Sequence, residues 1–197
     1  MFPLVWKDCF HNDEKDNYFS SDRFRFADSP IDCRNYTLFS WLAGVRSGGK
    51  KVTKISDPRG IPDDCSDYIK RESEQWGCDA HSHSWITVIE LVNNLDQTVN
   101  YQGVVDAKGF KQFLEKGSPD GWSASVGGIV SICTPDEMSI LLSMGEPWTN
   151  NHYTVVSWKK VIRDTLSYFV ENSLSQLVDR CDSDELDDVR IVFWFDN

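Results

Sequence analysis

The stretch WKKVIRDTLSYFVENSLSQLV, residues 158–178, and the closing segment VRIVFWFDN, residues 189–197, decide the fold class. In the first, Val161, Ile162, Leu166, Phe169, Val170, Leu174, Leu177 and Val178 recur at helical spacing, which predicts one long C-terminal helix from Trp158 onward. In the second, Val189, Ile191, Phe193 and Phe195 alternate with Arg190, Val192, Trp194 and Asp196. Apolar bulk falls on both faces, the pattern of a central strand covered on both sides. Residues 152–156 read as a further strand ahead of the helix.

Working outward, Tyr36, Leu38, Phe39, Leu42, Ala43 and Val45 define a short helix that Ser47, Gly48 and Gly49 stop. The segment SDPRGIPDD from Ser56 is a loop, because two prolines and a glycine defeat both helix and sheet. Ser66 caps a helix that runs to Trp76, with Gly77 as its stop. CDAHSHSW, residues 78–85, is a short extended segment that leads into a helix, since Thr87 and Glu90 have capping-box spacing ahead of Leu91, Val92 and Leu95. Residues 98–105 read as a strand, 106–116 as a helix closed by Gly117, and SPDGWSASVGG as a loop. Thr134, Pro135 and Glu137 open another helix by the same capping logic. Helices and strands alternate irregularly, which favours α+β over a doubly wound sheet. The expectation is one compact α+β domain over residues 1–197, with a mixed or antiparallel sheet and packed helices; residues 1–33 form a less regular N-terminal segment.

A chain of 197 residues with 40% hydrophobic residues and eight tryptophans has the means to bury a core. Its 31 acidic residues against 20 basic ones give a net charge of -11, which repels a nucleic-acid backbone, so no polymeric DNA or RNA partner is expected. A small anion is different, because one pocket needs only a few local donors. No apolar run approaches the roughly 18 residues that cross a bilayer, and acidic residues come too early in MFPLVWKDCFHNDEKD for a secretory signal. The expected setting is therefore the cytoplasm, with no membrane partner. Six cysteines without a CxxC pair read as free thiols, mostly buried.

Asp79, His81 and His83 are spaced i, i+2 and i+4, so an extended backbone would send all three side chains from one face. Two imidazoles and a carboxylate suit Zn²⁺ or Mn²⁺. No metal is required, because His81 and His83 would also serve as general acid and base on a phosphodiester. The bland use of the same pair is to hydrogen-bond the backbone and fix a turn. Arg59, in its loop, and Arg34 and Arg46, which bracket the first clear helix, are candidates to hold an anionic group. Ser82 is a further polar contact, and Trp76 and Trp85 are candidates to stack on a base. His11 and His152 are the remaining imidazoles, and a three-histidine site would need one of them to fold back.

The phrase DAHSHS resembles the first metal motif of the polymerase-and-histidinol-phosphatase phosphoesterases. That resemblance covers six residues, and the barrel of that family is much longer than the chain left after Asp79. A longer resemblance runs through CRNYTLFSWLAGVRSG, ISDPRGIPDD, WGCDAHSHSWIT and the closing VRIVFWFDN. In these blocks the chain is similar to an uncharacterised family of small proteins encoded by bacteriophages and prophages. Members of that family often begin with a Met-Gly-Cys-Asp-Ile-His segment, whereas this chain begins MFPLVWKD. The departure leaves open a binder without chemistry, or His11 in the place of the missing histidine. The resemblance implies a phage accessory protein in bacterial cytoplasm, a setting in which small proteins often counter host defence by binding or cleaving nucleotide immune signals.

The leading expectation is thus a phage protein that engages a small, anionic, nucleotide-like signalling molecule near His81 and His83, with hydrolysis as an open second step. One rival is an acidic interaction protein that occupies the DNA-binding site of a host enzyme through charges such as Asp182, Asp184 and Asp187. Another is a metal-dependent phosphoesterase. Self-association into a homo-oligomer is left open.

Overall fold

The structure is a computed structural model that describes residues 34–65, 67–179 and 186–196. In chain order its helices are α1 (Tyr36–Ala43), α2 (Asp67–Trp76), α3 (Val88–Asn93), α4 (Ala107–Lys116), α5 (Pro135–Met144), α6 (Ile162–Thr165) and α7 (Ser175–Asp179). Its strands are β1 (Lys50–Lys51), β2 (Ala80–Thr87), β3 (Thr98–Asp106), β4 (Ser131–Cys133), β5 (His152–Val161) and β6 (Arg190–Asp196). The fold is α+β, with one mixed and one antiparallel sheet. No helix among the described residues is long and apolar enough to cross a membrane.

The local signals in the sequence account for most helix starts. Asn35 caps α1, its side chain accepting from the N–H groups of Thr37 and Leu38, and Gly44 rather than the later Ser-Gly-Gly ends it. Thr87 with Glu90 and Thr134 with Glu137 both form complete capping boxes. Asp106 caps α4, which Gly117 closes.

The chain divides into two units. The first draws on residues 1–46, 53–97 and 162–197. Its sheet pairs β2 with β6 antiparallel, and six of the seven β6 residues are buried. Both faces of β6 are covered, as VRIVFWFDN requires, but the expected central position is corrected: among the described residues β6 pairs with β2 alone. Leu38 and Trp41 of α1 are buried in this unit, as are Val88, Leu91, Leu166 and Leu174. A separate cluster of Cys65, Ile69, Val192 and Trp194 gathers Ile61, Ala80 and Trp85 around it.

The second unit draws on residues 47–52 and 98–161. Among the described residues its sheet has the order β1-β3-β5-β4, antiparallel except for the β4–β5 pair. Val99, Tyr101, Gly103 and Val105 of β3 are buried, while Thr98, Asn100, Gln102 and Asp106 are exposed. The buried face carries an aromatic cluster in which Tyr101 stacks on Trp158 at 5.2 Å and Trp122 meets both edge-on. Gly49 turns the chain into β1 at φ +73, where a Cβ would meet the Gln102 carbonyl oxygen at 2.7 Å.

The predicted helix from Trp158 requires correction. Strand β5 continues to Val161, because Trp158, Lys159, Lys160 and Val161 all pair with β3. Tyr101 offers Trp158 a ring to stack on across the strands, which outweighs the helical spacing of the residues that follow. The helical part begins at Ile162 and passes through a π turn, Phe169–Leu174, before α7, so one long helix is replaced by three short pieces. The three described cysteines are free, and of these Cys65 is buried, Cys133 intermediate and Cys78 exposed. Residues 1–33, with His11, lie outside the described residues, as do Ser66, the expected cap of α2, and Asp182 and Asp184.

Candidate functional site

The candidate residues within the described range belong to the first unit, except His152, which opens β5 in the second. The loop of residues 56–64 runs beside β2 and is pinned to it by backbone. The Gly60 N–H donates to the His83 carbonyl at 2.9 Å, and the Arg59 N–H donates to Ser84 Oγ at 3.2 Å. That contact explains why a loop with two prolines holds a defined path: its polar groups are satisfied by the neighbouring strand.

Strand β2 is not regular. His81 pairs with Phe195 and Ser84 with Phe193, so an extra residue is accommodated between them as a bulge. Ser82 takes the left-handed conformation there, at φ +53. The consequence is a change of side. The His81 ring lies 5.9 Å from Phe195, and the His83 ring stacks on Trp194 at 5.7 Å. Phe195 and Trp194 are consecutive in β6 and therefore point to opposite faces. Asp79 ends a 3₁₀ turn, Gly77–Asp79, ahead of the strand and is exposed. The predicted common face for Asp79, His81 and His83 is thus replaced by a turn and two opposite faces. Among the described residues no three histidine, cysteine or acidic side chains gather in a way that would hold a metal ion.

The two faces hold different company. On the Trp194 side, Arg59 forms a two-pronged ion pair with Glu90 at 2.5 and 2.8 Å and lies 4.6 Å from the Trp85 ring. Arg190 lies 5.1 Å from the same ring and is paired with Asp64. Trp85 is therefore a packing partner for two guanidiniums, both already neutralised by carboxylates. The hydrogen bond from Arg59 holds the Glu90 carboxyl below its ordinary range and raises the guanidinium in return. His83 Nε2 is buried and has no hydrogen-bond partner among the described residues. Burial, with the charge of His81 second, pushes the His83 imidazole below its ordinary value. It is suited to stay neutral and stacked, and less suited to carry protons.

On the Phe195 side a run of rings leads from His81 to two arginines. His81 meets Phe195, Phe195 meets Phe39 at 5.1 Å, and Phe39 meets Tyr36 at 6.0 Å. Tyr36 and Phe39 are three apart on α1 and so share a helix face. Arg34 and Arg46 each lie 5.7 Å from the Tyr36 ring, and both pair with the carboxylate of Asp196, at 3.6 and 3.4 Å. Arg46 also donates to the Asp196 carbonyl at 2.5 Å. Its Nη1 is shielded from solvent and has no partner among the described residues. Arg46 is itself left-handed at φ +55, a conformation that a side chain adopts at a cost.

The structure therefore links His81 to Arg34 and Arg46 only through the run of rings Phe195, Phe39 and Tyr36, and sets Ser82 Oγ 2.9 Å from His81 Nδ1. It places Arg59, His83 and Trp85 on the other side of the sheet. Trp76 is the last residue of α2 and is 37% exposed. Tyr36, Phe39 and Asp196 were missed as site residues. The helical spacing of the first two from the Arg34-Asn35 cap was a usable signal, but the role of Asp196 depends on a pairing 150 residues away in sequence from Arg46. Comparison with protein-family models, curated proteins and solved structures finds no match for this chain.

Proposed function

We propose that the first unit binds a small, nucleotide-like anion on the Phe195 side of the β2–β6 sheet, with Arg34 and Arg46 on its charged group and the Tyr36 and Phe39 rings beside its base. The observation that carries this reading is that two guanidiniums converge on one carboxylate and one aromatic ring, which leaves a net positive charge there among the described residues. His81, at the other end of the same run of rings, adds a ring nitrogen to that surface. Binding without cleavage is favoured, because His83 stands on the opposite face and has no route to the same phosphodiester.

The setting we propose is that of a phage-encoded accessory protein that sequesters a host immune nucleotide in bacterial cytoplasm. It rests on the resemblance of the Arg34, Arg59, His81 and C-terminal blocks to phage and prophage proteins. Protein isolated from phage-infected cells should release an unaltered nucleotide on denaturation, identified by mass spectrometry. The Arg34→Ala, Arg46→Ala double variant should come away empty while His83→Ala keeps its cargo. Absence of any nucleotide, or full retention by the double arginine variant, would remove the proposal.

A further inference from the structure

The second unit holds a cavity of about 340 Å³ whose lining includes Lys50, Lys51 and Lys159 but no carboxylate. In a chain of net charge -11 that is an unusual concentration of one sign. A second cavity of the same unit, about 430 Å³, is by contrast lined by Asp106 and Asp120 as well as Lys108. The sheet register explains the basic one. Lys51 pairs with Asn100 and Asn100 with Lys159, so the three stand in one rank across β1, β3 and β5 and leave the same face. With strands about 4.8 Å apart, the two lysines flank Asn100 at roughly 10 Å between backbones, within reach of one shared anion. Gln102 and Ser157 stand in the next rank on that face and also line the cavity.

Neither Lys51 nor Lys159 has an ion-pair partner among the described residues, although acidic side chains outnumber basic ones in the chain. Two like charges facing one cavity, with no counter-charge for either among the described residues, make a local positive field that a bound anion would complement. Burial also pushes the Lys50 ammonium below its ordinary range. The cavity falls within the roughly 300–1,000 Å³ of small-molecule sites.

We propose that this cavity is an anion site in its own right, taking a small molecule that carries a phosphate or oligophosphate group. Lys51 and Lys159 supply the charge, and Asn100, Gln102 and Ser157 supply neutral hydrogen bonds. The proposal is independent of the arginine surface of the first unit.

Inorganic pyrophosphate, titrated calorimetrically into the full chain, is the probe. Lys51→Gln with Lys159→Gln should weaken its binding about tenfold or more, as expected for loss of two charge-assisted contacts. Lys111→Gln with Lys160→Gln removes the same charge outside the cavity and should change the affinity less than about twofold, which controls for the overall field. Thermal melts confirm that each variant is folded. An equal loss in both lysine pairs, or no heat at millimolar pyrophosphate, overturns the proposal. So does loss of pyrophosphate binding in the Arg34→Ala, Arg46→Ala variant, since the anion would then sit in the first unit.

Discussion

His81 and His83 are two positions apart in the chain and stand on opposite faces of one sheet, because Ser82 absorbs an extra residue between the pairs His81–Phe195 and Ser84–Phe193. The left-handed backbone of Ser82 is what makes this change of side. Ser82→Gly should therefore be neutral or stabilising by up to about 1 kcal/mol, and Ser82→Val destabilising by about 1–2 kcal/mol, since a β-branched residue is poorly accommodated at positive φ. Equilibrium denaturation of the two variants checks this; equal stability for both would mean that the bulge is not where the strain lies.

The His83 imidazole gives a pH dependence of definite sign. Burial lowers it below the ordinary value of 6.5, so in the window just below that value the unfolded chain binds the proton that the folded chain does not. Its contribution is complete above pH 6.5 and is lost as the pH falls towards the folded value. His83→Phe should keep the stack on Trp194, remove the unpartnered Nε2, and flatten the stability profile in the window just below pH 6.5. Melting temperature as a function of pH for wild type and variant is the measurement. Parallel profiles would sink this account.

Much of the local structure was legible because it depends on residues three or four apart. The Thr87–Glu90 and Thr134–Glu137 boxes fall where their spacing put them, and the Asn35 and Asp106 caps, not singled out from the sequence, are equally local. What was not legible depends on partners far away in sequence. The β5 strand runs on through Val161 because β3 is there to pair with it, and its apolar residues fit a helical period equally well. The candidate histidines were located correctly on an extended segment, yet their relation to one another was set by β6, more than a hundred residues later. Arg59 was a fair choice by residue type and loop position. Its guanidinium is nonetheless engaged by Glu90, a residue that the capping box had already accounted for.

That double use of Glu90 makes a prediction. One carboxylate oxygen accepts from Arg59 and from the Thr87 N–H, so the pair couples the loop of residues 56–64 to the start of α3. Both side chains are about three-tenths exposed, so the pair contributes less than a fully buried one. Arg59→Ala should cost about 1–2 kcal/mol, and Arg59→Lys should recover only part of that, because an ammonium makes neither the two-pronged pair nor the same contact with Trp85. The wild-type advantage should be full above the ordinary glutamate value of 4.5 and fade as the pH drops through the lowered folded value, since the carboxylate must then be protonated. Urea denaturation at pH 7 and pH 3 compares the two regimes. An advantage that persists undiminished at pH 3 would show that Arg59 acts through packing on Trp85 alone.

Gly103 of β3 tests the aromatic cluster of the second unit. A Cβ built there would meet Trp122 Cε3 at 2.5 Å and Cδ2 at 3.0 Å, closer than carbon atoms approach without one of them moving. Gly to Ala in a strand is otherwise mildly favourable, because it restricts the unfolded chain. Here Trp122 must leave its edge-on contacts with Tyr101 and Trp158, and the loss should exceed that gain, for a net destabilisation of about 1–3 kcal/mol. The diagnostic is a double-mutant cycle. In a Trp122→Ala background the same Gly103→Ala change should cost little or even stabilise, since the atoms it clashes with are gone. Near-ultraviolet circular dichroism should lose intensity in Gly103→Ala and in Trp122→Ala to a similar extent. If Gly103→Ala costs the same with and without the indole, the glycine is required by the backbone and not by the tryptophan above it.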